Sequence, residues 1–198
     1  MPTSPWDKSR ALLSGNPRAK TPSQEAPRAE DAATPQQPGM DRAAELTVYS
    51  QEPGYVVAVV GRCLIQVCVE RTTSTTVSLM RRALADLSER YDRFGYLCVL
   101  ESGADLTLAA DLRESVNAYV RRYSVRFTGA AVVFEAPGFQ ATVVRSQVTA
   151  SNLASGASHP TKVFGALHAA TSWLCRLTPG EPAAARLLAV TTQLRKPK

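Results

Sequence analysis

Two carboxylates stand at the ends of apolar runs: Glu101 closes YLCVLE (96 to 101) and Glu135 closes AAVVFE (130 to 135). If the two runs are neighbouring strands, the side chains can approach each other, and a carboxylate pair can share a proton or hold a metal ion. The plainer role for each is that of a polar strand end at a solvated rim. Ser102 and Gly103 follow Glu101 within VLESGADLTL (99 to 108), so one junction carries an acid, a hydroxyl open to phosphorylation and a turn residue. It reads first as a strand-to-helix turn, and second as a switch.

Nucleophilic catalysis needs a base beside a serine or cysteine, and the chain has two histidines. His159 precedes Pro160 and reads as a solvated loop residue; His168 follows Leu167 and reads as the outer flank of a helix. Neither is spaced with a Cys, Asp or His as a metal pair, and no Gly-rich phosphate loop is present. The four cysteines, Cys63, Cys68, Cys98 and Cys175, form no CxxC and lie in apolar contexts, where a free thiol acts as a small hydrophobe. Arg121, Arg122 and Arg126 could hold a phosphate, but read as the positive end that complements a helix dipole. The reading is therefore non-catalytic, with no cofactor or metal assigned.

Composition shifts sharply along the chain. Seven of the 13 prolines (Pro2, Pro5, Pro17, Pro22, Pro27, Pro35 and Pro38) precede residue 40, among Ser, Gln and alternating charges, so residues 1 to 44 are expected to be a disordered tail. Met40 is an alternative translation start, and Ser4-Pro5, Thr21-Pro22 and Thr34-Pro35 are candidate kinase sites. The net charge of +6 is unevenly placed. Six basic and six acidic residues cancel in the first 45, five basic residues against Glu181 give +4 from Arg176 onward, and +2 remains for 46 to 175. A near-neutral central region makes nucleic acid an improbable partner. The absence of an apolar run of ~18 residues argues against a membrane span and suits a cytoplasmic protein.

The elements that must position these residues follow from periodicity. LTVYSQ (46 to 51), YVVAVV (55 to 60) and CLIQVCVE (63 to 70) are strand-like runs at hairpin spacing, separated by Pro53-Gly54 and Gly61-Arg62. Val77, Met80, Leu84, Leu87 and Tyr91 then recur at helical spacing, after a Thr and Ser cluster (72 to 76) suited to capping. Leu108, Leu112, Val116, Tyr119 and Tyr123 repeat the pattern after the second run. Asp105 or Thr107 is the expected cap there. A weaker helix through Phe139, Val143 and Leu153 ends at Gly156; TKVFG (161 to 165) and a helix through Leu167, Ala170, Leu174 and Leu177 complete the series. Unalternating strands between helices imply burial on both faces and parallel pairing. The expected fold is α/β: a single mixed-sheet domain over 45 to 178, with antiparallel hairpin strands first and parallel βαβ units after. A basic appendage (179 to 198) follows, with a helical turn through Ala183 to Leu188.

This order resembles the STAS fold of bacterial anti-sigma-factor antagonists, and more closely the SpoIIAA-like proteins. PTKVFGALHAATSWL (160 to 174) is similar to the family's closing strand and helix, with Val163, Phe164, Ala169 or Ala170, Trp173 and Leu174 at the matching places; APGFQATVVRSQVTASNL (136 to 153) is a softer match. The resemblance covers about residues 46 to 175. It implies a non-catalytic regulatory module that docks a protein partner or, alternatively, holds a lipid-like or nucleotide-like ligand. An enzyme using the strand-end carboxylates is the third reading. In phosphoregulated relatives a serine within an Asp-Ser-Ser-Gly type motif opens the helix after the third strand; here the nearest residues are Glu101, Ser102 and Gly103, an altered motif with one serine. Independently of the resemblance, the expected interaction surface is Ser102 to Arg113, beside a strand-end crevice that includes Glu135 and Gly138.

Overall fold

The computed structural model describes residues 45 to 196, apart from 106, 108, 137 and 181. The tail, its kinase-site candidates and Met40 lie outside the described residues. The described residues begin with a meander, β1 (Leu46–Glu52), β2 (Tyr55–Val60) and β3 (Cys63–Cys68), with both pairings antiparallel. It continues through α1 (Ser74–Arg90), β4 (Phe94–Leu100), α2 (Ala110–Tyr123), β5 (Phe127–Phe134), α3 (Phe139–Ser155), β6 (Thr161–Phe164), α4 (Leu167–Leu177) and α5 (Ala184–Leu194). The six strands lie in chain order in one sheet, and β3 to β6 are parallel. The expected mixed-sheet α/β fold is what the chain adopts.

Alternation along the strands sorts the core into two layers. Val56, Ala58, Ile65, Val67, Leu97, Val99, Ala131 and Val133 face α4 and α5, whereas Val57, Val59, Leu64, Phe94 and Val132 face the layer of α1, α2 and α3. Every residue of β2, β3 and β5 is buried, because helices cover both faces there. The helix α1 begins as its hydroxyls suggested: Thr73 accepts from the Thr76 N–H and Thr76 accepts from the Thr73 N–H, a reciprocal cap.

Strands β4 and β5 start at Phe94 and Phe127, earlier than the apolar runs that begin at Tyr96 and Ala130, and each extension includes a glycine. Gly95 and Gly129 are register partners. A Cβ on Gly95 would stand 2.8 Å from Thr178 Oγ1 and 3.1 Å from Leu174, and one on Gly129 would stand 2.8 Å from Leu177 and 3.3 Å from Trp173. The two glycines thus form a trough into which α4 settles, which is why Trp173 and Leu174 sit where they do.

The segment after residue 178 is more than a single turn. The helix α5 spans eleven residues, and Leu187, Val190 and Leu194 are buried in the same core cluster as Leu174 and Ala170. Their 3, 4 spacing turns one stripe of α5 onto the sheet. The compact unit that holds the described residues runs Gly39–Lys198.

Candidate functional site

Because β4 and β5 are parallel neighbours with Leu100 opposite Phe134, their next residues, Glu101 and Glu135, emerge side by side at the carboxyl ends of the strands. Between them lies a cation that the sequence reading did not place. Arg195, just beyond α5, reaches across the edge: its Nε donates to Glu101 Oε1 at 2.6 Å and its NH2 to Glu101 Oε2 at 3.0 Å, while NH1 pairs with Glu135 Oε2 at 2.9 Å. The first contact is a two-pronged fork, the geometry that planar guanidinium and carboxylate groups favour. These hydrogen bonds to Glu101, reinforced by Glu135, hold the guanidinium proton even more firmly than usual, against the opposing effect of partial burial.

Glu135 has a second task. Its Oε1 accepts the Leu167 N–H at 3.2 Å, at the first residue of α4, whose N-cap Ala166 offers no side-chain acceptor. A carboxylate from β5 therefore supplies the missing cap and a favourable charge at the helix start. Leu100, Glu101, Ser102, Glu135, Ala136 and Arg195 line an open cleft of about 290 Å³. That volume is at or below the small end of ligand-binding pockets, which run from ~300 Å³ upward.

The flanking loop is exposed. Ser102 and Gly103 form a turn closed by the Ala104 N–H donating to Glu101 O, and both stand in solvent. Asp105 does not cap α2. Its Oδ1 accepts the Thr107 N–H at 2.8 Å inside the loop, an interaction that holds its carboxyl below the ordinary value, and it lies 3.9 Å from Arg71. The helix instead begins at Ala110 with no side-chain cap, because the local Asp105 turn closes at Thr107, two residues before the N-cap position Ala109. Arg113 lies on the exposed first turn of α2, its N–H bonded to Ala109 O. Gly138 is the N-cap of α3 at φ 83, a conformation that favours glycine, and does not line the cleft.

A buried polar chain runs beneath this edge. The Tyr96 hydroxyl donates to Gln66 Oε1 at 2.5 Å, and Gln66 Nε2 donates to Cys68 Sγ at 3.0 Å, with Cys98 alongside. Hydrogen bonding to Cys98, followed by burial, pushes the Cys68 thiol well up, and burial does the same to the Tyr96 phenol. Cys63 is likewise pushed up by burial. These are protonated core groups, and none of the four cysteines is in a disulfide.

At the opposite edge, His159 departs from the solvated loop expected of it. It is half-buried against the Phe127 ring at 4.9 Å, and its Nδ1 lies 3.3 Å from Ser124 Oγ, which also accepts the Ser158 N–H at 2.8 Å. Burial lowers the imidazole's proton affinity, partly offset by the Ser124 contact. The cluster ties the loop before β6 to the loop before β5.

The described residues thus form an open, mixed-sheet α/β domain whose two strand-end carboxylates are bridged by one arginine. Comparisons with protein-family models, curated proteins and solved structures give no match to this chain. Among the described residues no helix is long and apolar enough to cross a membrane, and no group of three or more His, Cys, Asp or Glu side chains could hold a metal ion.

Proposed function

We propose that the protein is a cytoplasmic, bacterial-type, STAS-like regulatory module that works without catalysis by docking a protein partner on the surface from Ser102 to Arg113. One observation carries the reading. At the strand edge where α/β domains keep their function, both carboxylates are engaged by Arg195, while Ser102, Gly103, Asp105, Thr107 and Arg113 beside them are exposed. An acid or base held in a charge-matched fork is poorly placed to exchange protons with a substrate. A small open cleft beside an exposed loop suits contact with another macromolecule better than enclosure of a small ligand. Phosphorylation of Ser102 would add a dianion beside Glu101, which supports a switch role for the same turn.

Affinity capture from the native cell, with Ser102→Glu and Arg113→Ala run beside the unaltered chain, tests the reading. Reduced recovery of the same partner with either variant is expected. Equal recovery from all three would remove the 102 to 113 surface from consideration.

A further inference from the structure

The edge opposite the carboxylates carries the reverse charge. Helices that follow parallel strands run antiparallel to them, so the C-terminal ends of α1 and α2 lie beside the starts of β4 and β5. There Arg90 ends α1, Arg121 and Arg122 lie in the last turn of α2, and Arg93 and Arg126 precede the two strands. The turns are joined, since the Phe94 N–H donates to Arg126 O at 3.0 Å and Arg126 NH1 donates to Ser88 O at 2.8 Å. Against these five cations the same turns carry two acids, Glu89 and Asp92. Among the described residues none of the five is in an ion pair.

Helix dipoles account for Arg90, Arg121 and Arg122, which lie where positive charge is favourable. They also account for Arg126, whose NH1 bonds the Ser88 carbonyl in the last turn of α1, but they do not account for Arg93, which is exposed and lies outside the helices. Nor do they account for Val125, 75% exposed beside Arg126. The chemistry is also uniform: no lysine occurs between residues 21 and 161, so the patch is built wholly from the planar fork that pairs with carboxylates. Arginine is enriched at protein interfaces, whereas lysine is depleted there.

We infer that this arginine-rich edge, centred on Arg93, Arg121, Arg126 and Val125, is a second docking surface, and that it takes an acidic segment of a partner protein with an apolar side chain among its carboxylates. It is distinct from the 102 to 113 surface and lies at the opposite ends of the strands. Single-stranded nucleic acid fits less well, because it calls for open aromatic platforms. Here Phe94 and Phe127 are buried against each other, Tyr123 is buried beneath Arg122, and Arg62 covers Tyr91. A lone valine is too little apolar surface to enter a bilayer.

The test is fluorescence anisotropy on the full chain with three probes: a labelled twelve-residue peptide of alternating Glu and Leu, an oligo-dT of equal length, and vesicles containing anionic lipid. Peptide binding that weakens with added salt, and exceeds binding of the other two, is expected. Arg93→Glu with Arg121→Glu should weaken it by about tenfold or more, whereas Arg145→Glu with Arg186→Glu, an equal charge change on exposed positions of α3 and α5, should change it by less than about threefold. Arg93→Gln with Arg121→Gln should fall between, which keeps the test open if the reversal disturbs folding. No peptide binding, equal loss in the two reversed pairs, or tighter binding of oligo-dT or vesicles would each overturn the assignment.

Discussion

Replacing Arg195 with Met removes a cation from between two carboxylates while keeping most of the side chain's apolar length. Three contacts at 2.6, 3.0 and 2.9 Å are lost, from a guanidinium whose side chain is 24% exposed. A charge-assisted hydrogen bond contributes ~1.5 to 3 kcal/mol when well shielded, and an exposed ion pair ~0.2 to 1 kcal/mol. Glu101, 28% exposed and gripped in a fork, belongs between these limits, at ~1 to 2 kcal/mol, and Glu135, 41% exposed and retaining the Leu167 N–H, belongs near the lower one. The sum is a loss of ~2 kcal/mol, or a fall in Tm of about 4 to 8 °C for a domain of this size. Urea denaturation of Arg195→Met, Glu101→Gln and the double variant gives the coupling directly. A coupling of ~1 kcal/mol or more is expected, shrinking in 1 M salt. Arg195→Met within ~0.3 kcal/mol of the parent protein would mean that α5 is held by its apolar stripe alone, and that the fork contributes nothing.

Two further outcomes follow from the packing. Gly95→Ala should destabilise by ~1 to 3 kcal/mol, because its Cβ meets fully buried Leu174 and the Thr178 hydroxyl that is hydrogen-bonded to Thr128. Gly129→Ala should cost less, since Leu177 is only partly buried and can swing aside; urea midpoints in the opposite order would contradict this account of the α4 trough. The His159 imidazole is held below its ordinary pKa, chiefly by burial, so the unfolded chain binds a proton more readily than the folded one. Its contribution is complete above the ordinary value near ~6.5 and is lost as pH falls from there toward the depressed folded value. The parent protein should therefore lose Tm between pH 7.5 and 5.5 more steeply than His159→Phe, and parallel slopes would refute the assignment.

The local pattern of the chain was enough to read most elements and their order. The strand runs before residue 70 are separated by two-residue turn signals, and the helical stripes of α1 and α4 repeat at 3 and 4, so each segment declares its own period. The Thr73 cap was legible for the same reason, because capping involves groups three residues apart. Asp105 misled because a side chain near a helix start has two local partners, and here the nearer turn wins. The stripe Leu187, Val190, Leu194 was a visible signal for α5, obscured by the basic residues that surround it.

What the sequence by itself determined was an α/β chain with Glu101 and Glu135 closing two strands, since composition and period are properties of short windows. Only the tertiary structure decided what those acids do. Arg195 lies 94 residues from Glu101, and nothing in either window requires that they meet. They meet because β4 and β5 are in register and α5 lays its apolar stripe along the same sheet, which ends the helix over the strand edge. The same topology gathered five arginines from separate turns at the far edge, although the central region of the chain is nearly neutral when its charges are merely counted. Counting is local and linear, whereas a charge's surroundings are set by the direction in which each helix returns.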